Sequence, residues 1–182
     1  MIRIIGGKFR HRILAQPPLN ITRPSKDSLK EGIFNAINSE IQNRSFLDLF
    51  AGSGAVGIEA YSRGAKNVVL VDDNIEAIKV IKHNLETLNI EDITILFINF
   101  NQALKILEEK NKSFDFIFLD PPYKMIINKE FILNLKKYNI FKDNSVLIVE
   151  VDYELDSELL MDYKYKIYTY GKTSVYILRR KI

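Results

Sequence analysis

The sequence predicts an α/β domain: a mostly parallel sheet with helices on both faces, an antiparallel C-terminal hairpin, and a small basic β-hairpin in front. Three observations carry this expectation. From Ser45 onward, short apolar runs alternate with helix-period segments, the pattern of strand–helix–strand units that build parallel sheets. The first of these runs opens into Gly52-x-Gly54-x-x-Gly57, with Asp72 twenty residues after Gly52. A later solid apolar run, Phe116-Ile117-Phe118-Leu119, is followed directly by Asp120-Pro121-Pro122-Tyr123.

Taken in order, residues 2–5 and 12–15 read as short strands around Gly6-Gly7. Three prolines between Gln16 and Pro24 mark a crossing segment. Ser25 or Asp27 can cap a helix running to about Ile41, with Leu29, Ile33, Phe34 and Ile37 on one face. Strands are expected at 45–50, 67–71, 93–98, 114–119 and 145–150, and helices at 55–62, 75–88, 102–109 and 129–137. Ile78, Ile81, Leu85 and Leu88 form the inward face of the second of these helices. Residues 165–170 and 174–179 form the terminal hairpin around Gly171. The expected division is an extension at 1–24 followed by a single globular unit at 25–182.

Composition narrows the function classes. A chain of 182 residues with 47% hydrophobic and 27% charged residues is long enough for one sizeable core. No apolar run approaches the roughly 18 residues of a membrane span, and the N-terminus lacks a signal-peptide h-region, so a cytoplasmic protein is expected. The absence of cysteine removes thiolate catalysis and Cys-ligated zinc. The two histidines, His11 and His83, are too far apart in sequence for a His-based site, so no metal is expected. With no long heptad pattern, a monomer is expected. The net charge of +3 is unevenly spread. Residues 1–30 carry seven basic side chains against Asp27 alone, a net +6, which leaves −3 for the rest. Such a basic end fits a polyanion partner, although it would serve equally as a solubilising arm.

The glycine loop matches the dinucleotide fingerprint in form. Its glycines let backbone approach a ligand, and an acid ending the second strand suits ribose hydroxyls. A nucleoside-containing ligand follows, but several cofactors share that physics. Asp48, near the end of the first strand, favours a cationic ligand such as S-adenosylmethionine and would repel a pyrophosphate. Asp72 and Asp73 disfavour a 2′-phosphate, and nothing resembles a hydride-transfer pair. Asn99-Phe100, after the third strand, offers a polar contact and an apolar wall for adenine; Asn99 is also an ordinary loop-turn residue.

Asp120-Pro121-Pro122-Tyr123 suits alkylation of a planar amine. The Asp120 carboxylate and the Pro121 carbonyl can each accept an N–H from an exocyclic NH2. Accepting both turns the nitrogen lone pair out of the ring plane. Tyr123 can stack on the base, worth about 1–3 kcal/mol in nucleic-acid sites. Read alone, the same four residues describe a strand ending in a tight proline turn.

The chain resembles the RsmD family of class I S-adenosylmethionine-dependent methyltransferases. The matching stretches are Arg3-Ile4-Ile5-Gly6-Gly7-Lys8, Thr22-Arg23-Pro24-Ser25-Lys26-Asp27, Lys30-Glu31 and Phe34-Asn35. They continue with Leu47 to Gly54, Gly57-Ile58-Glu59-Ala60, Ser62-Arg63-Gly64, Asp120 to Tyr123 and Tyr170-Gly171-x-Thr173. The resemblance implies a Rossmann-like class I methyltransferase sheet that methylates a guanine N2 in bacterial small-subunit (16S) ribosomal RNA. It also implies that Asp48, Phe50, Ala51, Gly52, Ser53 and Gly54 line the methionine end of the cofactor. Asp72, with Asp73, would hold the ribose, and Asn99 and Phe100 would face adenine. Asp120, Pro121, Pro122 and Tyr123 would hold the target base.

The basic residues Arg3, Lys8, Arg10, Arg12, Arg23 and Lys26 are the expected RNA contacts. Three positions depart from the family pattern: Ser28, Asn74 and Asn99. The competing reading is an adenine-N6 methyltransferase acting on DNA or RNA, which shares the Asp-Pro-Pro-Tyr motif. Sequence-specific reading of a DNA duplex would have to be done by the roughly 30 residues that precede the sheet, whereas RNA shape and phosphates need less apparatus.

Overall fold

The structure is a computed structural model and describes residues 2–18, 27–122 and 124–181. Seven strands form the main sheet: β3 (Ser45–Asp48), β4 (Lys66–Asp72), β5 (Thr94–Phe97), β6 (Phe114–Leu119), β7 (Phe141–Val151), β8 (Tyr163–Tyr170) and β9 (Thr173–Arg180). Their spatial order is β5-β4-β3-β6-β7-β9-β8. All neighbours are parallel as far as β7, and β9 runs antiparallel to both β7 and β8. A separate antiparallel pair, β1 (Ile2–Arg3) with β2 (Ile13–Leu14), makes the N-terminal hairpin.

Period-two alternation divides the core into two layers. Phe46, Phe116, Phe118, Ile148 and Ile177 point to one face. There they meet Ile33, Phe34 and Ile37 of α1 (Asp27–Ile37), Ile58 of α2 (Ala55–Ser62), and Ile78 and Ile81 of α3 (Ile75–Thr87). Leu47, Ile117, Leu119 and Val149 point to the other. They meet Leu104 and Leu107 of α4 (Phe100–Glu109), Ile132 and Leu135 of α5 (Lys129–Leu135), and Leu159 of α6 (Ser157–Leu160). Each such side chain stabilises the fold by about 1.5–3 kcal/mol through burial. Because helices cover both faces, the central strands read as continuous apolar runs.

Several boundaries differ from expectation, each for a local reason. α1 ends at Ile37 because the chain tightens into a turn there, Glu40 N–H bonding the Ile37 carbonyl at 2.9 Å. α4 begins at Phe100 because the Asn99 side chain accepts the Gln102 N–H at 3.0 Å and caps the helix two residues earlier than expected. α6 was not expected, since four residues show no period.

The N-terminal hairpin docks on α1 and α2 through buried charge. Glu59 of α2 and Lys30 of α1 are both fully buried and pair at 3.5 Å. Glu59 also accepts the Ile5 N–H at 2.9 Å and the Arg63 Nε at 2.8 Å, while Lys30 Nζ donates to the Arg3 carbonyl. Lys30 was counted in the basic end, but it is an internal anchor. Gly6 and Gly7 lie in the connection between β1 and β2, as expected, and they also pack against the end of α2. A Cβ on Gly7, whose φ is +75°, would fall 1.9 Å from the Ser62 carbonyl oxygen. Ser62 Oγ donates to the Gly6 carbonyl and accepts the Phe9 N–H. Gly32 likewise leaves room for the Tyr170 hydroxyl, which a Cβ there would overlap at 2.0 Å. Much of the family-like sequence therefore holds the extension and the terminal hairpin onto the sheet.

Candidate active site

The direction of strand crossing reverses at β3, with β4 on one side and β6 on the other. Ligands of open α/β sheets bind at the carboxyl edge of such a switch point. A cavity of about 460 Å³ opens there, a size usual for a small-molecule site. Nine of the residues expected at the cofactor line it: Asp48, Phe50, Ala51, Gly52, Ser53, Asp72, Asp73, Asn99 and Phe100. Asp120, Pro121 and Pro122 line the same cavity. Gly54 does not; it is buried beneath the loop at the start of α2, where its φ of +77° turns strand into helix. Gly57 contributes through packing, since a Cβ there would fall 2.2 Å from Leu70 of β4. Tyr123, Arg23 and Lys26 lie outside the described residues.

Electrostatics give the cavity its character. Asp48, Asp72, Asp73, Asp120, Glu150 and Asp152 line it, and no Lys or Arg does so among the described residues. Asp48 is only 1% exposed. Burial pushes its carboxyl well above the usual range, the Phe50 N–H opposes that at 3.3 Å, and Asp120 and Asp72 push it further up. A cation placed beside Asp48 would restore its charged form.

Burial also raises Asp72, against backbone donors on each oxygen. The Gly52 N–H donates to Oδ2 at 2.8 Å and the Asn74 N–H to Oδ1 at 2.8 Å. Asp72 thus holds the glycine loop in place while its remaining lone pairs face the cavity. Asn74, one of the departures, caps α3 by accepting the Glu76 N–H at 2.8 Å. Asn99 donates to the Gln102 side chain at 2.9 Å, so its amide serves the helix cap as well as the cavity wall. Phe50 and Phe100 pack with ring centroids 5.4 Å apart and form an aromatic side to the pocket.

The opposite wall went unseen in the sequence. Met125, Glu150, Asp152, Tyr153 and Thr173 come from the loop after Pro122, from β7 and the turn that follows it, and from the start of β9. The Met125 N–H bonds the Pro122 carbonyl at 2.8 Å, and the Tyr153 hydroxyl accepts the Ile127 N–H at 2.6 Å, fixing the path of that loop. Asn84, buried in α3, donates to the Ser53 and Ala15 carbonyls, each at 3.1 Å, tying the cofactor loop to the N-terminal extension.

Among the described residues, none of the basic side chains expected at RNA lines the cavity. Arg3 pairs with Asp27 at 2.6 Å, and Lys8 sits over the Phe9 and Tyr61 rings at 4.8 and 4.2 Å. Arg10 and Arg12 are exposed in the hairpin. Among the described residues no helix is long and apolar enough to cross a membrane, and no cluster of His, Asp or Glu is arranged to hold a metal ion.

The chain is similar in sequence and fold to known proteins. The family described as Conserved hypothetical protein 95 matches residues 2–179. The Bacillus subtilis protein YlbH is 35% identical over 99% of this chain and 100% of its own. Ribosomal RNA small subunit methyltransferase D of Escherichia coli K12 is 34% identical over 84% of this chain and 76% of its own. The solved structure of the Escherichia coli protein yhhF superposes with a TM-score of 0.80 at 26% identity, covering 99% of this chain and 98% of that one. With a match that runs from the first strand to the last, the chain belongs to the Conserved hypothetical protein 95 family of methyltransferases, the RsmD family.

Proposed function

We propose that this protein transfers the methyl group of S-adenosylmethionine to the exocyclic N2 of a guanine in small-subunit ribosomal RNA. The observation that carries this reading is one acidic cavity lined by Asp48 and Asp72 together with Asp120 and Pro121. Its charge suits a cationic nucleoside ligand and opposes a pyrophosphate. The relatives named ribosomal RNA small subunit methyltransferase D support the choice of RNA.

S-adenosylmethionine supplies an electrophilic sulfonium methyl group. Asp48 offers charge to its cationic end, Asp72 accepts the ribose hydroxyls, and Phe50 and Phe100 wall the adenine. Asp120 and the Pro121 carbonyl accept the two N2 hydrogens and turn the lone pair toward the methyl carbon. The protein contributes mainly by positioning. As the nitrogen–methyl bond forms the methyl–sulfur bond breaks, leaving the neutral thioether S-adenosylhomocysteine, and the nitrogen then sheds its extra proton to water, so no side chain need remove it beforehand. The target guanine must be unstacked to enter, at a cost of a few kcal/mol.

Labelled methyl transfer to small-subunit RNA, with the product nucleoside identified, tests the whole reading. N2-methylguanosine is expected, and N6-methyladenosine would establish the adenine alternative.

Asp72→Ala will weaken S-adenosylmethionine binding roughly tenfold or more, since a hydrogen bond to a charged group contributes about 1.5–3 kcal/mol. Calorimetry reads this directly, and an unchanged Kd would remove Asp72 from the ribose site.

Of the exposed cations proposed to meet RNA phosphates, Arg10 and Arg12 lie together in the hairpin. Replacing both with glutamine should flatten the dependence of log K on log salt by about one to two units, with S-adenosylmethionine binding unchanged. A wild-type slope in the double variant would place the RNA contact elsewhere.

A further inference from the structure

Glu150 is buried, 8% exposed, and yet lines the cavity. The reaction as described gives it no task. Its position follows from strand register. Leu119 of β6 pairs with Val149 of β7 in parallel, so the next residues on each strand, Asp120 and Glu150, stand side by side, about 4.8 Å apart strand to strand. Phe118 and Ile148, two residues earlier, both face the layer of α1 to α3. Asp120 and Glu150 therefore face that same side. One difference separates them. β6 has ended at Leu119, while β7 continues to Val151 and pairs Glu150 with Val175 of β9. Asp120 sits at the opening of a loop, whereas Glu150 is held in the sheet, where side-chain position is better defined.

We propose that Glu150 reads the identity of the target base by accepting a hydrogen bond from guanine N1–H. This rests on the reading of the cavity as a guanine-N2 site. In guanine, N1–H and the N2 amine are neighbours on one edge, and both donate. Two adjacent carboxylates facing that edge match it: Asp120 for the amine, Glu150 for N1–H. Adenine offers an amine beside a bare N1 lone pair. Placed in the same orientation, that lone pair would confront the Glu150 carboxylate, itself only 8% exposed. A site built to hydrogen-bond a donor discriminates strongly against an analogue lacking it. Asp120 and Pro121 can hold either base by its amine, so Glu150 supplies the discrimination those residues cannot.

The test compares guanine with 2-aminopurine at the modified position of the same RNA. 2-Aminopurine keeps the exocyclic amine at C2 but has no hydrogen on N1. Wild-type protein should favour guanine in kcat/KM by roughly a hundredfold or more. Glu150→Gln, whose amide can donate to a bare N1, should reduce that ratio at least tenfold, with S-adenosylmethionine affinity unchanged by calorimetry. A lower rate with an unchanged ratio would make Glu150 a packing residue and overturn the proposal, as would a variant indistinguishable from wild type.

If Glu150→Gln does not fold, the wild type alone decides. RNA with inosine at the target, which keeps N1–H but has no amine, should inhibit better than RNA with unsubstituted purine there. Equal inhibition overturns the proposal. Failure of the guanine reading itself is a separate result, seen when wild-type protein methylates no guanine in the parent RNA.

Discussion

Asp120→Ala will lower methyl transfer by about 10²–10³-fold or more while changing the Kd for S-adenosylmethionine no more than a few fold. The scale is that of removing one fixed polar contact at a reacting centre. Asp120 follows β6, separated by β3 from β4, whose Asp72 holds the glycine loop, so its loss should leave the ribose and loop contacts standing. Asp120→Asn is the informative companion. Its amide keeps one acceptor oxygen, so it should recover part of the lost turnover, whereas alanine recovers none. Single-turnover rates at saturating cofactor, set beside calorimetric Kd values, separate the two effects. Unimpaired turnover in Asp120→Ala would remove the residue from the reaction.

Glu59→Ala should be the most damaging single change to stability. Glu59 is fully buried and receives Lys30, the Arg63 Nε and the Ile5 N–H. Burial already lowers the Lys30 pKa, with Glu59 and Asp27 opposing that shift. Removing the carboxylate strands a buried cation and a buried N–H together. Breaking one side of a buried pair costs about 3–5 kcal/mol. At this chain length that corresponds to roughly 6–20 °C in Tm. The double variant Lys30→Met with Glu59→Gln should lose less than Glu59→Ala, because the fully buried cation is removed with its partner and only Arg63, 11% exposed, loses a counter-charge. Thermal unfolding of the two variants checks both statements, and a wild-type Tm for Glu59→Ala would contradict the first.

How far the sequence could be read depended on what kind of force fixed each feature. α2 and β6 match their expected bounds residue for residue, because periodicity and unbroken apolar runs are local signals. The glycine loop, Asp48, Asp72 and Asp120 were legible for the same reason, each following directly from a strand end. The far wall was not. Glu150 closes an apolar run much as any strand-terminal acid does, and only the β6–β7 register puts it beside Asp120. Nor was the burial of Lys30 and Glu59 legible, since charged residues at those helix positions ordinarily face water. Gly6-Gly7 was legible as the middle of the hairpin, but its packing against Ser62 and Arg63 was not, since glycine serves both turns and close approaches.

The strand order carries a consequence for how the protein comes into being. β9 follows β8 in the chain but lies between β7 and β8 in the sheet. A nascent chain emerges N-terminus first, so β7 and β8 are both synthesised before the strand that joins them. Until residues 173–180 arrive, β7 shows a bare edge and β8 has no place in the sheet. Bare edges of this kind pair readily with other chains. Thr173, at the start of β9, also lines the cavity. The β7 edge is therefore covered and the Thr173 part of the cavity wall set together, when the final strand carries β8 with it onto the sheet and β8 becomes the edge that remains.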